Sequence, residues 1–269
     1  MSNDISKILN DWDYETGEVA VRIVPGDDGR DKIQLRIDMG LLQMELEGRP
    51  DGTKPEGAAS WLDYYAEKQQ RHDAEHADAA PFELTDEDCF RLWREGVQYY
   101  HRYLSFWHLK MYDRCAMDTE RNLRLSAFVL AYAHDDRHRS QFDQWRPYVL
   151  MMHTRAVATP LVEKGQLSAA LRVIDLGIEQ IREFLDAREQ SDRADECAEL
   201  ISLEQWREEV LVAAHRSGQT DPQSTAEILR RRLQQAVAEE RFEDAAALRD
   251  EIRKLSQQEG VGDTIRDEG

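Results

Sequence analysis

Cysteine is scarce in this chain, and the cysteines that occur lie far apart. Cys89, Cys115 and Cys197 are odd in number, and no Cys-x-x-Cys pair is present. A disulfide framework needs paired cysteines, and a structural zinc site needs closely spaced ones. The sequence therefore argues against both kinds of scaffold and predicts reduced, buried thiols.

Long apolar runs are also missing. No stretch approaches the roughly 18 to 20 consecutive apolar residues that a membrane-spanning helix requires. The first residues, Met1 to Lys7, lack the basic flank and apolar centre of a signal peptide. Hydrophobic residues make up 41% and charged residues 33% of the 269 positions, so most of the chain is expected to fold. We predict a cytoplasmic protein with no membrane partner.

Basic side chains are too few to balance the acidic ones. The sequence has 35 Lys and Arg against 54 Asp and Glu, which gives a formal charge of -19. Residues 1–88 alone carry a net charge of -13, whereas residues 226–259 carry a net charge of -1. Polyanions repel an acidic chain, which argues against direct binding to nucleic acid. The acidic amino-terminal third is interpreted as a solubilising surface.

Recognised catalytic motifs are absent from the sequence. It contains neither the Gly-x-x-x-x-Gly-Lys-Ser/Thr phosphate-binding loop nor the His-Glu-x-x-His zinc motif. Two histidine pairs, His72 with His76 and His134 with His138, have a spacing that can place two imidazoles on one metal ion. Both pairs lie in strongly polar stretches, which favours a solvated surface over a metal site.

A metal-dependent enzyme without a recognisable motif stays open as a third hypothesis. Its metal site would use His134, Asp135 and His138. Other acidic residues are interpreted as helix-end residues rather than paired catalytic acids: Asp113, Asp118 and Glu120. No catalytic, cofactor-binding or metal-binding residue is predicted, and we expect the protein not to be an enzyme.

Residues 18–47 carry the clearest strand pattern. Apolar and polar residues alternate before and after the turn formers of residues 25–29. Gly40 then interrupts the alternation, so residues 42–46 form either a third strand or a bulge. The pattern predicts a small β-hairpin or meander within residues 1–57. Its apolar face should pack on the helical part or on a second chain.

The next segment, residues 58–84, predicts a short helix and a linker, and Ser60 followed by Asp63 is typical of a helix start. Before this segment, residues 48–52 are rich in turn formers. We interpret them as a plain turn. The alternative is an anion site built from backbone donors and an exposed Arg49.

Residues 85–216 have apolar residues three and four positions apart and no strand pattern. This spacing predicts a mainly α-helical protein whose largest domain is a multi-helix, solenoid-like bundle. Five helices are expected, over residues 86–112, 118–133, 142–162, 167–187 and 195–215. Pro147 is tolerated in a first turn, and Pro160 predicts a kink or a stop.

An aromatic cluster on the first of these helices has the composition of a base-stacking platform. It comprises Tyr99, Tyr100, Tyr103, Phe106 and Trp107, interleaved with His101, Arg102 and His108. The same spacing is typical of a helix that is buried on most sides. Because the chain is acidic, we predict that the cluster belongs to the core.

Residues 154–181 resemble a tetratricopeptide unit. Ala158, Gly165 and Ala170 occupy positions at which small residues let the two helices of such a hairpin approach closely. Stacked units of this family form a concave peptide-binding surface. Thr154 stands where the family has a large aromatic residue, and a generic helical hairpin explains the same residues.

The C-terminal region has the pattern of two short amphipathic helices. Residues 217–223 are turn formers that predict a linker, and Ser224 begins a capping-box signature. Apolar residues then recur at spacings of three and four on both sides of a turn at residues 239–241. This spacing predicts a helical hairpin with a narrow coiled-coil-like seam over residues 224–257, and a flexible tail over 258–269.

The second helix of this hairpin contains the run Phe-Glu-x-Ala-Ala-x-Leu-Arg-Asp-x-Ile, which begins at Phe242. The segment resembles the UVR motif of the UvrB and UvrC excision-repair proteins, McsA-type kinase activators and some ClpC-type chaperones. In that family the hairpin mediates protein–protein pairing, including pairing with another UVR hairpin, and carries no catalytic residue. The resemblance implies these partner-binding residues: Leu229, Leu233, Ala236, Phe242, Glu243, Ala245, Ala246, Leu248, Arg249, Asp250, Ile252 and Leu255.

The rest of the chain departs from those proteins, because it lacks helicase motifs, nuclease domains and paired zinc ligands. We therefore expect a non-enzymatic adaptor or regulatory protein that docks another UVR-containing protein, or a second copy of itself, through the hairpin. The second hypothesis is a DNA-damage or protein-quality-control factor that acts with an excision-repair, kinase or chaperone partner. The linker favours a hairpin that is free to swing, and the alternative is a hairpin that packs on its own chain.

Overall fold

The protein is mainly α-helical with a small antiparallel sheet near its amino terminus, which confirms the predicted fold class. The computed structural model describes residues 4–15, 17–75, 80–219, 229–230, 233–234, 236–237, 241–243, 245–250 and 252–253. Residue contacts group the chain into two compact units, Met1–Val157 and Ala158–Gly269. The predicted division into a β element, a helical domain and a hairpin stays a prediction. Among the described helices, none combines the length and apolar character needed to span a membrane.

The sheet of the first unit has three strands. They are β1 (Val21–Pro25), β2 (Asp31–Ile37) and β3 (Gly40–Glu45), in the order β1-β2-β3. Both pairs are antiparallel, with Ile23 opposite Ile33 and Ile33 opposite Met44. The third strand begins at Gly40, so the alternating pattern that resumes there marks a strand and not a bulge.

One face of the sheet packs on helices of the same unit. Ile33, Leu35 and Met44 are buried in one apolar cluster with Tyr103 and Phe106. A small sheet cannot bury enough surface by itself and needs such a partner. Of the two predicted arrangements, the structure shows the one in which the apolar face packs on the helical part.

The helices of the first unit differ from the predicted ones mainly at their ends. They are α1 (Ser6–Asn10), α2 (Trp61–Glu75), α3 (Asp86–His108), α4 (Tyr112–Tyr132), α5 (Asp136–Asp143) and the first part of α6 (Arg146–Glu163). A 3-10 turn spans Pro55–Gly57. The sequence did not predict α5, because its residues are polar and lack an apolar period. The side chain of Asp135 accepts a hydrogen bond from the backbone N–H of Arg137 at 2.8 Å and so caps this helix.

A capping box starts α3. The Thr85 side chain accepts a hydrogen bond from the backbone N–H of Asp88, and the Asp88 carboxylate accepts one from the backbone N–H of Thr85. The hydroxyl of the buried Tyr65 in α2 donates to Asp88 at 2.5 Å. Burial alone would raise the pKa of Asp88, but the hydrogen bonds from Tyr65 and Thr85 outweigh it and hold the pKa below its ordinary value of 3.8.

We expect Asp88→Ala to lower the free energy of unfolding by about 2 kcal/mol at neutral pH, since the box and the Tyr65 hydroxyl both lose an acceptor. A carboxyl group whose pKa is depressed by folding stabilises the protein above its unfolded pKa. This contribution is lost as the pH falls through the folded pKa. Urea unfolding at neutral pH and again below the ordinary pKa should therefore show a deficit that shrinks in acid. Asp113→Ala, an exposed first-turn position of α4, is the control, and an equal loss there would contradict the assignment.

A fully buried carboxylate connects three helices of the first unit. Glu95 of α3 accepts hydrogen bonds from the backbone N–H groups of Trp61 at 2.7 Å and Leu62 at 3.1 Å. The guanidinium of Arg49 lies 2.9 Å from the same carboxylate, and Arg121 of α4 also pairs with it. The carboxylate thus balances the charge of two guanidinium groups and accepts hydrogen bonds at the amino-terminal end of α2. The helix dipole also favours a negative charge at that end.

The turn at residues 48–52 is present, with a hydrogen bond of 2.9 Å from the backbone N–H of Gly52 to the carbonyl of Arg49. Arg49 is only 9% exposed, and its guanidinium lies 3.2 Å from Asp51 as well as beside Glu95. The turn is therefore the plain turn that was predicted, and the alternative of an anion site with an exposed Arg49 is wrong, because Arg49 is buried and pairs with carboxylates of the same chain.

A second buried ion pair joins α3 to α4. Two nitrogens of Arg102 donate to the two carboxylate oxygens of Asp118, both at 2.7 Å. The third nitrogen donates to the backbone carbonyls of Glu45 and Gly48. The interpretation of Asp118 and Glu120 as helix-end residues is wrong, because α4 begins earlier than predicted and both lie within it.

The second unit begins within α6. It contains the end of that helix, then α7 (Leu167–Ala187), a 3-10 turn (Ser191–Glu196) and α8 (Ala198–Arg216). The helix continues past Pro160 to Glu163, and a turn with Gly165 at φ +70° leads into α7. The observed bounds of α7 are the predicted ones.

The helices α7 and α8 form an antiparallel pair. Arg182 of α7 pairs with Glu204 of α8 at 2.6 Å, and the earlier Asp175 pairs with the later Arg207. The two helices are in contact, and both contribute buried apolar side chains to the core: Ile174, Ile178, Ile181, Leu200 and Leu203. This pair is the framework on which the C-terminal segment rests.

Candidate interaction site

The described residues of the predicted hairpin are helical on both sides of its turn. Helical positions are 229–230, 233–234 and 236–237 before the turn, and 242–243, 245–250 and 252–253 after it. The backbone N–H of Arg241 donates to the carbonyl of Ala236 at 2.8 Å, and the N–H of Ala245 donates to the carbonyl of Arg241 at 3.0 Å. These bonds close the first helix and open the second, as a helical hairpin requires.

The apolar seam of the hairpin packs within the second unit. Leu229, Ala236 and Ala245 are at most 1% exposed, and Leu233 is half-buried. One seam cluster combines a residue of α8 with residues of both hairpin helices: Val212, Leu229, Leu248 and Ile252. The seam therefore rests on α8, which is the alternative in which the hairpin packs on its own chain.

The region around the hairpin turn presents an exposed surface. Phe242 is 66% exposed and Val237 is 45% exposed. Of these two, only Phe242 belongs to the residues predicted for partner binding. Four more residues of that predicted set are exposed, all on the second helix: Glu243, Ala246, Arg249 and Asp250. Leu255 lies outside the described residues. The structure thus separates buried seam residues from exposed ones, and the partner-binding role of the whole set stays a prediction.

The first residues of the predicted linker are held by the start of α7. The side-chain oxygen of Gln219 accepts a hydrogen bond from the backbone N–H of Leu167 at 3.1 Å, and its amide group donates to the carbonyl of Gly165 at 2.9 Å. The Ser168 hydroxyl donates to the carbonyl of Gln219 at 2.8 Å. Residues 220–228 lie outside the described part of the chain. A truncation that removes only the hairpin should therefore retain Gln219.

Most of the aromatic cluster on α3 belongs to the core, as predicted. Tyr99, Tyr103 and Phe106 are at most 6% exposed, and Arg102 among them is occupied by its buried ion pair. This burial leaves those three rings unavailable as a base-stacking platform. The same helix also lines a cavity of about 440 Å³. Sequence reasoning missed this cavity, because its other lining residues come from α4, α5, the turn after α5, and α6.

The two histidines of the proposed metal alternative contact carboxylates instead of converging. Nδ1 of His134 lies 3.0 Å from Glu83, and Nε2 of His138 lies 2.9 Å from Asp86. Each imidazole thus has its own acidic partner, Glu83 just before α3 for His134 and Asp86 at the start of α3 for His138. The i, i+4 spacing of these histidines is explained by two separate surface pairs.

The remaining candidate ligand of that site is also engaged elsewhere. Hydrogen bonds from the side chain and the backbone of Arg137 lower the pKa of Asp135 to about 2. Over the described residues, no group of three or more His, Cys, Asp or Glu side chains is placed to hold a metal ion. His76, the predicted companion of His72, lies outside those residues.

All three cysteines are free thiols. Cys89 and Cys115 are fully buried, and burial raises the pKa of their thiols to about 11 and to about 12. Cys197 is partly exposed, and burial also raises its pKa. Protonated, enclosed thiols are poor nucleophiles and poor metal ligands, so Cys89 and Cys115 act as small apolar groups.

Comparison with known families matches residues 227–258 to the UvrB/uvrC motif, and no other family matches. This confirms the resemblance inferred from the run that begins at Phe242. UVR motifs mediate protein–protein interaction and occur in excision-repair proteins, which is consistent with a protein partner. Neither the curated proteins nor the solved structures contain a match to this chain. The tetratricopeptide resemblance of residues 154–181 stays a prediction.

Proposed function

We propose that this protein is a cytoplasmic, non-enzymatic adaptor or regulatory subunit that docks a protein partner through the exposed end of its UVR hairpin. The observation that carries the proposal is the exposure of Phe242, at 66%, in a motif whose seam is already packed. A large aromatic side chain in water gains free energy when a partner covers it. Phe242 is therefore the expected anchor of the interface.

The buried seam narrows the docking surface to the turn end of the hairpin. Leu229, Ala236 and Ala245 are too enclosed to meet a partner while the hairpin rests on α8. The available surface consists of apolar Phe242 and Val237 together with charged side chains of both signs. Interfaces that combine a central apolar anchor with a polar rim are typical of specific protein–protein contacts.

The charge of the hairpin favours a second UVR hairpin as its partner. Residues 226–259 carry a net charge of -1, in contrast to the net -13 of residues 1–88. Because the hairpin is near neutral and has both acidic and basic side chains, two such surfaces can meet without strong repulsion. The partner is then another copy of this chain or a UVR-bearing excision-repair, kinase or chaperone protein.

Replacing Phe242 by alanine should weaken partner binding at least tenfold, because truncating a central aromatic anchor typically costs about 2 kcal/mol or more. Self-pairing is measured by sedimentation equilibrium of the full chain. Pairing with another protein is measured by cross-linked capture from cells, in which proteins lost by Phe242→Ala are identified.

Phe90→Ala is the matched control, since Phe90 is 55% exposed on α3 and lies outside the motif. It should retain both the mass distribution and the captured proteins of the natural chain. Docking through the hairpin would be refuted by Phe242→Ala behaving like Phe90→Ala in both measurements. A chain ending at Gln219 should behave like Phe242→Ala.

A further inference from the structure

The first unit contains a cavity with the dimensions of a small-molecule site. It lies between α3, α4, α5 and the first part of α6 and measures about 440 Å³. Ligand sites in proteins typically span roughly 300–1,000 Å³ and are lined by apolar and aromatic side chains with few polar groups. The cavity therefore has the size to hold one ring system of moderate extent.

Aromatic side chains dominate the lining of this cavity. They come from three segments that are distant in sequence: Trp93, Tyr100, Tyr103, Phe142, Trp145 and Tyr148. The rings of Tyr100 and Tyr103 meet edge to face at 5.5 Å, and Tyr100 lies 6.2 Å from Tyr148. Tyr103 and Phe142 are buried, whereas Trp93, Tyr100, Trp145 and Tyr148 keep exposed surface and offer faces and edges to a further ring.

Among the residues that the structure describes, no charged side chain lines this cavity. The described lining contains no Asp, Glu, Lys or Arg, although these residues make up 33% of the chain. His101 is the one titratable ring with a basic nitrogen there, and burial lowers its pKa, which favours the neutral imidazole. An ion that entered would lose its hydration without a counter-charge, so the lining selects against charged ligands.

A few neutral polar groups accompany the rings. The side chains of Asn122, Ser126 and Gln141 belong to the lining, and the Asn122 amide already donates to the backbone carbonyl of Gly96 at 3.0 Å. Neutral hydroxyl and amide groups can hydrogen-bond an uncharged ligand and fix its orientation. Two of the aromatic residues are partly exposed, Trp93 at 37% and Trp145 at 59%, so solvent reaches this side of the unit.

We propose that this cavity binds an uncharged aromatic small molecule. The cavity is open to solvent on one side, so its apolar and aromatic walls are exposed to water when no ligand is bound. A flat neutral ring system would displace that water and bury apolar surface of both partners, which is favourable. This site is independent of docking through the hairpin, because it lies wholly in the first unit.

The proposal is tested with two dyes that differ in one charged group. N-phenyl-1-naphthylamine is neutral, and 1-anilinonaphthalene-8-sulfonate is the same ring system with a sulfonate. Fluorescence titration of the full chain should show saturable binding of the neutral dye at one site per chain. The sulfonated dye should bind at least tenfold more weakly. Equal affinities, or no saturable binding of the neutral dye, would overturn the proposal.

Variants that fill the cavity test whether the neutral dye binds there. Ser126→Phe adds a ring at the lining and should weaken binding of the neutral dye at least tenfold. The control is Ser140→Phe, on an exposed residue of α5 outside the lining, which should change the affinity for the dye by less than twofold. Gly96→Ala is a gentler second variant, since its new Cβ would meet only the Leu125 side chain at 3.9 Å. Alanine also favours the helix, so this variant should fold and weaken binding about threefold. Unchanged affinity in correctly folded Ser126→Phe and Gly96→Ala would place the dye elsewhere and refute the assignment.

Discussion

Replacement of Glu95 by alanine is expected to lower the free energy of unfolding by about 3–5 kcal/mol, which is the typical cost of breaking a buried ion pair from one side. The carboxylate is 0% exposed and lies against Arg49 and Arg121. Its removal would leave two enclosed guanidinium groups without that counter-charge. It would also leave the first N–H groups of α2 without their acceptor.

Urea unfolding at neutral pH measures this loss directly. Glu67→Ala, at an exposed position of α2, is the matched control and should change stability by less than about 0.5 kcal/mol. Glu95→Gln keeps the shape and one oxygen acceptor but removes the charge, so its deficit should be smaller than that of Glu95→Ala. Stability of Glu95→Ala close to that of the natural chain would show that the network contributes little.

The second large effect is expected for Arg102→Met, which should also cost about 3–5 kcal/mol at neutral pH because it leaves Asp118 buried and unpaired. Burial raises the pKa of Asp118, and the hydrogen bonds and charge of Arg102 act in the opposite direction. Removing Arg102 takes away the cation closest to Asp118, so burial raises the pKa of this carboxyl group further. Ionised Asp118 then destabilises the folded protein fully at pH values above its folded pKa. This destabilisation disappears as the pH falls below the unfolded pKa of the same group.

The deficit of Arg102→Met should therefore become smaller in mildly acidic buffer, which is opposite to the acid loss of stability of most proteins. The double variant Arg102→Met with Asp118→Leu is the informative companion, since replacing both charges by apolar groups often restores stability. It should recover at least half of the loss at neutral pH and show little of the pH dependence. A double variant as unstable as the single one would mean that packing, not unpaired charge, dominates.

These ion pairs also show where sequence reasoning stopped. Apolar periodicity was enough to predict α3 and α7, because each helix buries one stripe of its own residues. Nothing in the local pattern distinguishes Glu95 from the exposed acidic residues around it. Its partners lie in other segments of the chain, and a contact between segments leaves no periodic signal.

The same limit applies to the candidate sites. The UVR resemblance located the hairpin, because its residues are contiguous and their spacing is specific. It could not separate the buried Ala245 from the exposed Phe242, since that difference depends on how the hairpin packs within the second unit. The cavity of the first unit was missed altogether, because Trp93 and Tyr148 become neighbours of one space only after α3 and α6 have packed.

The burial pattern of the three cysteines makes the natural chain suitable for selective chemical labelling. Cys89 and Cys115 are 0% exposed, and their thiols are protonated at neutral pH, so a maleimide cannot reach them in the folded state. Cys197 is partly exposed at the start of α8. A fluorophore or spin label can thus be attached to the second unit without engineered cysteines. The slower reaction of the two enclosed thiols then reports opening of the first unit.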